Sequence, residues 1–323
     1  VTLRDLIESR SASGELPSAA EAPGSAPVEP AEESPQGVAE TLTPSGISVY
    51  FQAAPKRLYR VRDPFSREPS GHEDWIEVPS VTNTLDLLGA FGAGANWGQR
   101  IGVEGLQQLF REGLPIGTET PYDDINDLLK KRKLTVNYVR DKAADRGTSV
   151  HAGLEAWAES GGLPVVDVYP ASEQGFVRGL VQFLEDSHVV PLLAEVMVAS
   201  VTDLYAGRFD LLARIPANTS FVVKTYPKRK PVFWSATRDE VWLIDMKTRG
   251  AKGTTYEKDH LQLAAYENGF IECGYGEQYD IDRKGVLMVT EDGRYSLTEG
   301  KATYPDYLAV RRAWDALERV KAA

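Results

Sequence analysis

The run Val241-Trp242-Leu243-Ile244-Asp245-Met246-Lys247-Thr248 constrains this chain more than any other stretch. Its apolar residues are continuous and β-branched or aromatic enough to read as a buried strand inside a sheet. Such a strand has no packing use for an acid and a lysine two positions apart. Residues i and i+2 of a strand share a face, so Asp245 and Lys247 project side by side. Charges are costly to bury unless paired or bound to a metal. A plain Asp–Lys pair at a strand end satisfies that rule. So does a carboxylate that holds a divalent cation beside a lysine that meets a phosphate.

The neighbouring strands repeat the anomaly. Residues 192–199 and 204–215 are two apolar runs joined through Thr202-Asp203, which predicts an antiparallel hairpin. Glu195 and Asp210 both fall within them. Three acids in core strand sequence, with Lys247 beside the third, fit one account: carboxylates from adjacent strands surround a hard cation such as Mg²⁺. The stretch Arg146-Gly147-Thr148-Ser149-Val150-His151 opens a predicted helix, with Thr148 or Ser149 as its cap. His151 and Glu155 share a helical face as i and i+4. That spacing suits a surface His–Glu pair, and an imidazole there also suits a divalent metal.

Other elements frame this core. Residues 175–186 predict an amphipathic helix with Phe176, Leu180, Phe183 and Leu184 inward. Residues 218–240 read as a hairpin with a basic tip, Lys228-Arg229-Lys230, next to Tyr226 and Trp234. Such a tip suits either solvent or a nucleic-acid backbone. After the central strand come a basic loop, 249–253, and a helix over 254–272 that places Gln262 and Tyr266 on one face. Asp292-Gly293 between two alternating runs marks a further hairpin. A last helix spans 304–320.

Upstream, 57–61 and 75–78 read as a hairpin with a long loop containing Pro64, Pro69 and Gly71. Ser80 or Thr82 caps a helix at 84–88, and the Gly-rich stretch 89–94 interrupts it. Helices are expected from about Trp97 to Phe110 and over 122–133. Residues 1–46 are rich in Ala, Pro, Ser and Glu and predict a disordered tail with a short helix at Leu3–Ser9. The first fifty residues hold eight acids against two arginines, so they carry six of the chain's eleven net negative charges. The overall acidity therefore says little about the folded part. The domain expected over 47–323 divides into a hairpin and helical part (about 47–145), a core (about 146–298) and the C-terminal helix. The fold class is α/β, a central mixed β-sheet flanked by helices.

Cys273 is the only cysteine, which rules out an internal disulfide and a four-cysteine cluster. No apolar segment approaches the ~20 residues of a membrane span. No basic-then-apolar leader pattern opens the sequence, and a reducing, cytoplasmic setting is expected.

Taken in order, Gly147-Thr148-x-x-His151, Glu195, Gly207-x-x-Asp210, Asp245-x-Lys247 and Gln262-x-x-x-Tyr266 resemble the PD-(D/E)XK nuclease superfamily. The likeness is to its RecB-like branch of phage and CRISPR-associated exonucleases, and it covers most of the chain from Arg57 to Tyr295. Phe209 stands where the superfamily name has Pro, and the branch tolerates this. The cysteines of the cluster-bearing relatives are missing, so no iron–sulfur cluster is expected.

The resemblance implies a Mg²⁺- or Mn²⁺-dependent deoxyribonuclease in phage-type recombination, replication or repair, acting in a bacterial host cell. Asp210, Asp245, His151, Glu195 and the Met246 carbonyl would hold the metal. Lys247, Asp245 and Glu195 would be catalytic, Gln262, Tyr266, Arg249 and Lys252 would contact DNA, and Gln262 and Tyr266 would also brace the site. The implied partners are linear DNA, duplex or single-stranded, with a homo-oligomer or a recombination protein also compatible. An endonuclease and an inactive DNA-end scaffold share the same motifs.

Overall fold

A computed structural model describes residues 38–53, 58–62, 75–90, 93–226, 228–251 and 253–322. The elements, in order, are β1 (Val38–Leu42), β2 (Ser48–Gln52), β3 (Leu58–Arg62), β4 (Ile76–Val78), α1 (Val81–Ala90), α2 (Ala93–Arg111), α3 (Tyr122–Lys131), α4 (Val136–Ser160) and α5 (Gln174–Ser187). There follow β5 (Val190–Ser200), β6 (Tyr205–Ile215), β7 (Ser220–Lys224), β8 (Val232–Ser235), β9 (Glu240–Arg249), α6 (Glu257–Glu272), β10 (Arg283–Thr290), β11 (Tyr295–Glu299) and α7 (Tyr304–Ala322).

The fold is α/β, as expected. Its centre is a five-stranded mixed sheet in the order β11-β10-β9-β6-β5. β5, β6 and β9 run antiparallel to their neighbours, whereas β9 and β10 are parallel. Parallel neighbours need a crossover, and α6 supplies it. The predicted strand over 241–248 is β9, and Trp242, Leu243, Ile244 and Met246 on it are fully or almost fully buried.

One face of the sheet packs against α4 and α5 through Val150, Leu154, Trp157, Phe176, Leu180 and Phe183. The other packs against α6, α1, Tyr307 of α7 and a second, four-stranded sheet, β1-β2-β3-β4. The Asp292-Gly293 turn is present, with Gly293 at φ +86°, a conformation that favours glycine.

Several boundaries differ from expectation. Order begins before Ile47: β1 pairs with β2 from Val38↔Gln52 to Leu42↔Ser48, inside the segment expected to be tail. Residues 1–37, the expected short helix included, and the loop with Pro64, Pro69 and Gly71 lie outside the described residues. Thr148 and Ser149 cap nothing. They lie within α4, which begins at Val136 under Thr135, whose Oγ1 accepts the Tyr138 amide at 3.3 Å. Thr148 Oγ1 instead donates back to the Ala144 carbonyl at 3.2 Å. Ser80, rather than Thr82, caps α1, its Oγ accepting the Asn83 amide at 3.0 Å. α2 starts a turn earlier than Trp97. Among the described residues no helix is long and apolar enough to cross a membrane.

Candidate active site at a fork between two strands

β6 and β9 pair from Ile215↔Glu240 to Leu211↔Ile244, and there the ladder stops. Asp210 and Asp245 are the next residue on each strand. The fork frees the Met246 amide, which donates to Asp210 Oδ2 at 2.5 Å. Both acids are buried, at 7 % and 2 % exposure. A side chain thus replaces a lost ladder bond, and a carboxylate gains a charge-assisted donor.

α4 delivers His151 to the same point. Val150, Leu154 and Trp157 hold that helix against the sheet, and His151 Nδ1 lies 3.1 Å from Asp210 Oδ1. From the other side comes Glu195 of β5. It falls opposite Asp210, between the pairs Ala194↔Leu211 and Val196↔Phe209. Its φ is +50°, a left-handed conformation that costs a non-glycine residue ~1 kcal/mol or more. Its carboxylate pairs with Arg208 at 2.8 Å.

On the α6 side, Lys247 ion-pairs with Asp245 Oδ2. Gln262 Nε2 donates to Asp245 Oδ1 at 3.2 Å and to the Tyr266 hydroxyl at 2.7 Å. Gly207 explains the first letter of its own motif: a Cβ there would stand 2.5 Å from the Tyr266 ring. Thr82, Leu85, Lys247, Arg249, Lys258 and Gln262 line a cleft of about 170 Å³ at this point.

The charges perturb one another. Burial pushes Asp245 up to about 6, Lys247 opposing and the Asp210 carboxylate assisting. Burial and Asp210 push Glu195 up to about 7 against Arg208. Burial also acts on Asp210, but His151, Lys247 and the Met246 amide outweigh it and lower its pKa. His151 rises, because the Asp210 charge and hydrogen bond exceed the cost of burial. Lys247 rises, burial being outweighed by Asp245 and Asp210.

The donor set fits a divalent cation. One ligand atom each from His151, Glu195 and Asp210 lies within 4.8 Å of the others. Ligands 2.0–2.6 Å from an ion stand up to ~4–5 Å apart, so small side-chain adjustments suffice. Asp245 stands beside this trio with its oxygens held by Gln262 and Lys247.

The structure brings His151, Glu195, Asp210, Asp245 and Lys247 together. The residues expected to contact DNA have these surroundings. Gln262 and Tyr266 are 6 % and 3 % exposed and brace Asp245 from within. Arg249 is held by both oxygens of the buried Asp259, at 3.0 and 2.8 Å, and lies over the Tyr256 ring. Lys252 lies outside the described residues. Met246 meets Asp210 through its amide, whereas the expectation concerned its carbonyl.

Three participants were not anticipated. Arg208 neutralises Glu195, Asp259 anchors Arg249, and Arg146 stacks on Phe176 with its Nε unpartnered. Arg208 alone left a sequence signal, as a cation two residues from Asp210 in apolar surroundings. No protein-family model and no curated protein matches the chain.

Proposed function

We propose that the chain is a metal-dependent nuclease of the PD-(D/E)XK type that hydrolyses phosphodiester bonds of linear DNA from an end. The observation that carries this reading is the convergence of His151, Glu195, Asp210, Asp245 and Lys247 from α4, β5, β6 and β9 onto one fork. His151, Glu195, Asp210 and Asp245 would hold a Mg²⁺ or Mn²⁺ ion. When bound, such an ion polarises a phosphate and lowers the pKa of water.

The rest is done by the chain's own side chains. Lys247, fixed by Asp245, offers a positive charge to the phosphate as negative charge builds there. Gln262 and Tyr266 hold the Asp245 rotamer. Arg208 steadies the Glu195 carboxylate, which would hold the metal or orient its water. No element bears a base-reading motif, so the substrate is held by its backbone and cleavage tolerates sequence.

The test is digestion of end-labelled linear duplex, single strands and closed circular duplex with Mg²⁺, Mn²⁺ or EDTA. Asp245→Ala and Lys247→Ala are run alongside. Metal-dependent loss of linear DNA only, absent in both variants, is the expected result. Cutting of the circle makes the protein an endonuclease. No cutting with any metal, while DNA is still retained in a gel shift, replaces the enzyme with a binding scaffold.

A further inference from the structure

We propose that the tip of the β7–β8 hairpin is a strand-holding arm that grips the sugar-phosphate backbone of a nucleic acid entering the fork. The inference rests on the nuclease reading and adds a surface that reading does not use.

Composition singles out the tip. Residues 224–230 contain Lys224, Lys228, Arg229 and Lys230 and no acid, in a chain whose net charge is −11. Lys228, Arg229 and Lys230 are exposed. Among the described residues, Lys224 and Arg229 meet the ring of Tyr226, at 5.4 and 6.0 Å, rather than a carboxylate. Two of the four cations thus lie over an aromatic ring, and among the described residues no ion pair to a carboxylate is seen for any of the four. Phe233, on the following strand, is 56 % exposed and offers a stacking face.

Position makes the tip relevant to the fork. β9 and β10 are parallel, so Lys247, Arg249 and Thr290 all lie at one end of the sheet. The hairpin is tied to that end by one guanidinium. Arg294, at the β10–β11 turn, donates to Thr225 Oγ1 at 3.1 Å and also to the Ala251 carbonyl. Ala251 follows Lys247 by four residues, and Lys228 follows Thr225 by three. Those segments span at most ~14 and ~11 Å, so the tip lies within roughly 30 Å of Lys247 along this path. At ~3.4 Å per nucleotide of one strand, that is at most about nine nucleotides. A long strand reaches both places and a single phosphodiester reaches only the fork.

The experiment uses the full chain, Lys228→Ala/Arg229→Ala/Lys230→Ala, and a control with Arg214→Ala/Arg238→Ala at the opposite end of the sheet. Binding of a labelled 30-nucleotide strand is followed in EDTA over a series of salt concentrations. Turnover of bis(4-nitrophenyl) phosphate with Mn²⁺ is followed separately. The tip variant is expected to bind the strand roughly tenfold or more weakly, with a salt slope shallower by ~2–3. Its turnover of the small diester, and strand binding by the control, should match wild type. Unchanged affinity and slope in the tip variant overturn the proposal, as does a wild type that does not bind the strand. A parallel fall in small-diester turnover also overturns it, because the tip would then act on the fork and not on the strand. Wild type that binds the strand but turns over no diester removes the nuclease reading alone.

Discussion

The two ends of the β6–β9 ladder each bury an acid of β9, and they treat it differently. At the start of the strand, Glu240 is 5 % exposed. It accepts the Trp242 indole N–H at 3.1 Å and the Arg283 Nε at 3.2 Å. Beside it, Asp282 accepts the Val241 amide at 2.8 Å and Arg238 at 2.5 Å. The β6–β9 ladder is intact there. At the other end, Asp245 is as deeply buried, but Asp210 and Glu195 crowd it, the ladder opens, and a backbone is strained. Burial does not separate the two ends; the balance of donors and acceptors does. The first end is a closed account that supports folding. The second sets Asp210, Asp245 and Glu195 against His151, Lys247 and Arg208 in one crowded cluster, which on the proposed reading a cation would join.

The largest expected difference between the ends is catalytic. Lys247→Ala should lower metal-dependent DNA cleavage by about 10²–10³-fold, and Asp245→Asn by at least as much. Glu240→Gln should leave the rate near wild type. Equal losses at both ends, measured as initial rates, would dissolve the comparison.

Stability should separate them in the opposite direction. In metal-free buffer, Glu240→Gln should cost ~1–3 kcal/mol in denaturant unfolding, since hydrogen bonds to a charged acceptor are weakened. Asp245→Asn should cost less than this, because the ion pair lost from Lys247 is offset by relief of the crowding with Asp210 and of the buried charge itself. Loss of stability in Asp245→Asn matching that in Glu240→Gln would show that the fork, too, is a structural ion pair.

A divalent ion should sharpen the contrast. At one hundred times its Kd it stabilises the wild type by ~2.7 kcal/mol. Asp210→Asn should abolish this gain and Glu240→Gln should retain it, as read by thermal unfolding.

The pH dependence carries a definite sign. Glu195 moves from 4.5 to about 7 and Asp245 from 3.8 to about 6 in the folded chain. The folded state therefore holds more protons than the unfolded between about pH 4 and 7, and stability falls as pH rises through that window. His151 acts in the same direction: its contribution is present below 6.5 and lost as pH rises through its raised folded value. Asp210, lowered, contributes above 3.8 and is lost only as pH falls through its folded value, below this window. Metal-free Tm should thus decline from pH 5.5 to 8, and the gain from Mn²⁺ should grow over the same range as the ligands deprotonate. The smallest effect belongs to Arg214→Ala, an exposed partner of Asp239 at 3.8 Å, which should stay within ~0.5 kcal/mol.

Much of this frame was legible before any coordinates. β5, β6, β9, β10 and β11 announce themselves by apolar runs and turn residues, and Asp245 and Lys247 stand out because nothing apolar explains them. What escaped has physical reasons. The first half of α4 lacks an apolar stripe, so its start at Val136 left little periodic signal, and Thr148-Ser149 looked like a cap in its place. β1 is five residues at the end of an Ala- and Pro-rich stretch, and its pairing with β2 is a tertiary fact. The termination of the β6–β9 ladder is a property of two strands and not of either sequence. α6 is buried on several sides, so its own pattern leaves Gln262 and Tyr266 readable as surface polars, and only the family resemblance implied that they brace the site.

Glu195 has a consequence for how such a chain can drift. Its backbone angle is one that glycine adopts freely, so the backbone at that position prefers a residue with no carboxylate at all. Glu195→Gly would relieve the backbone while removing the partner of Arg208 and one donor at the fork. On the proposed reading, robustness and chemistry would pull on that one codon in opposite directions.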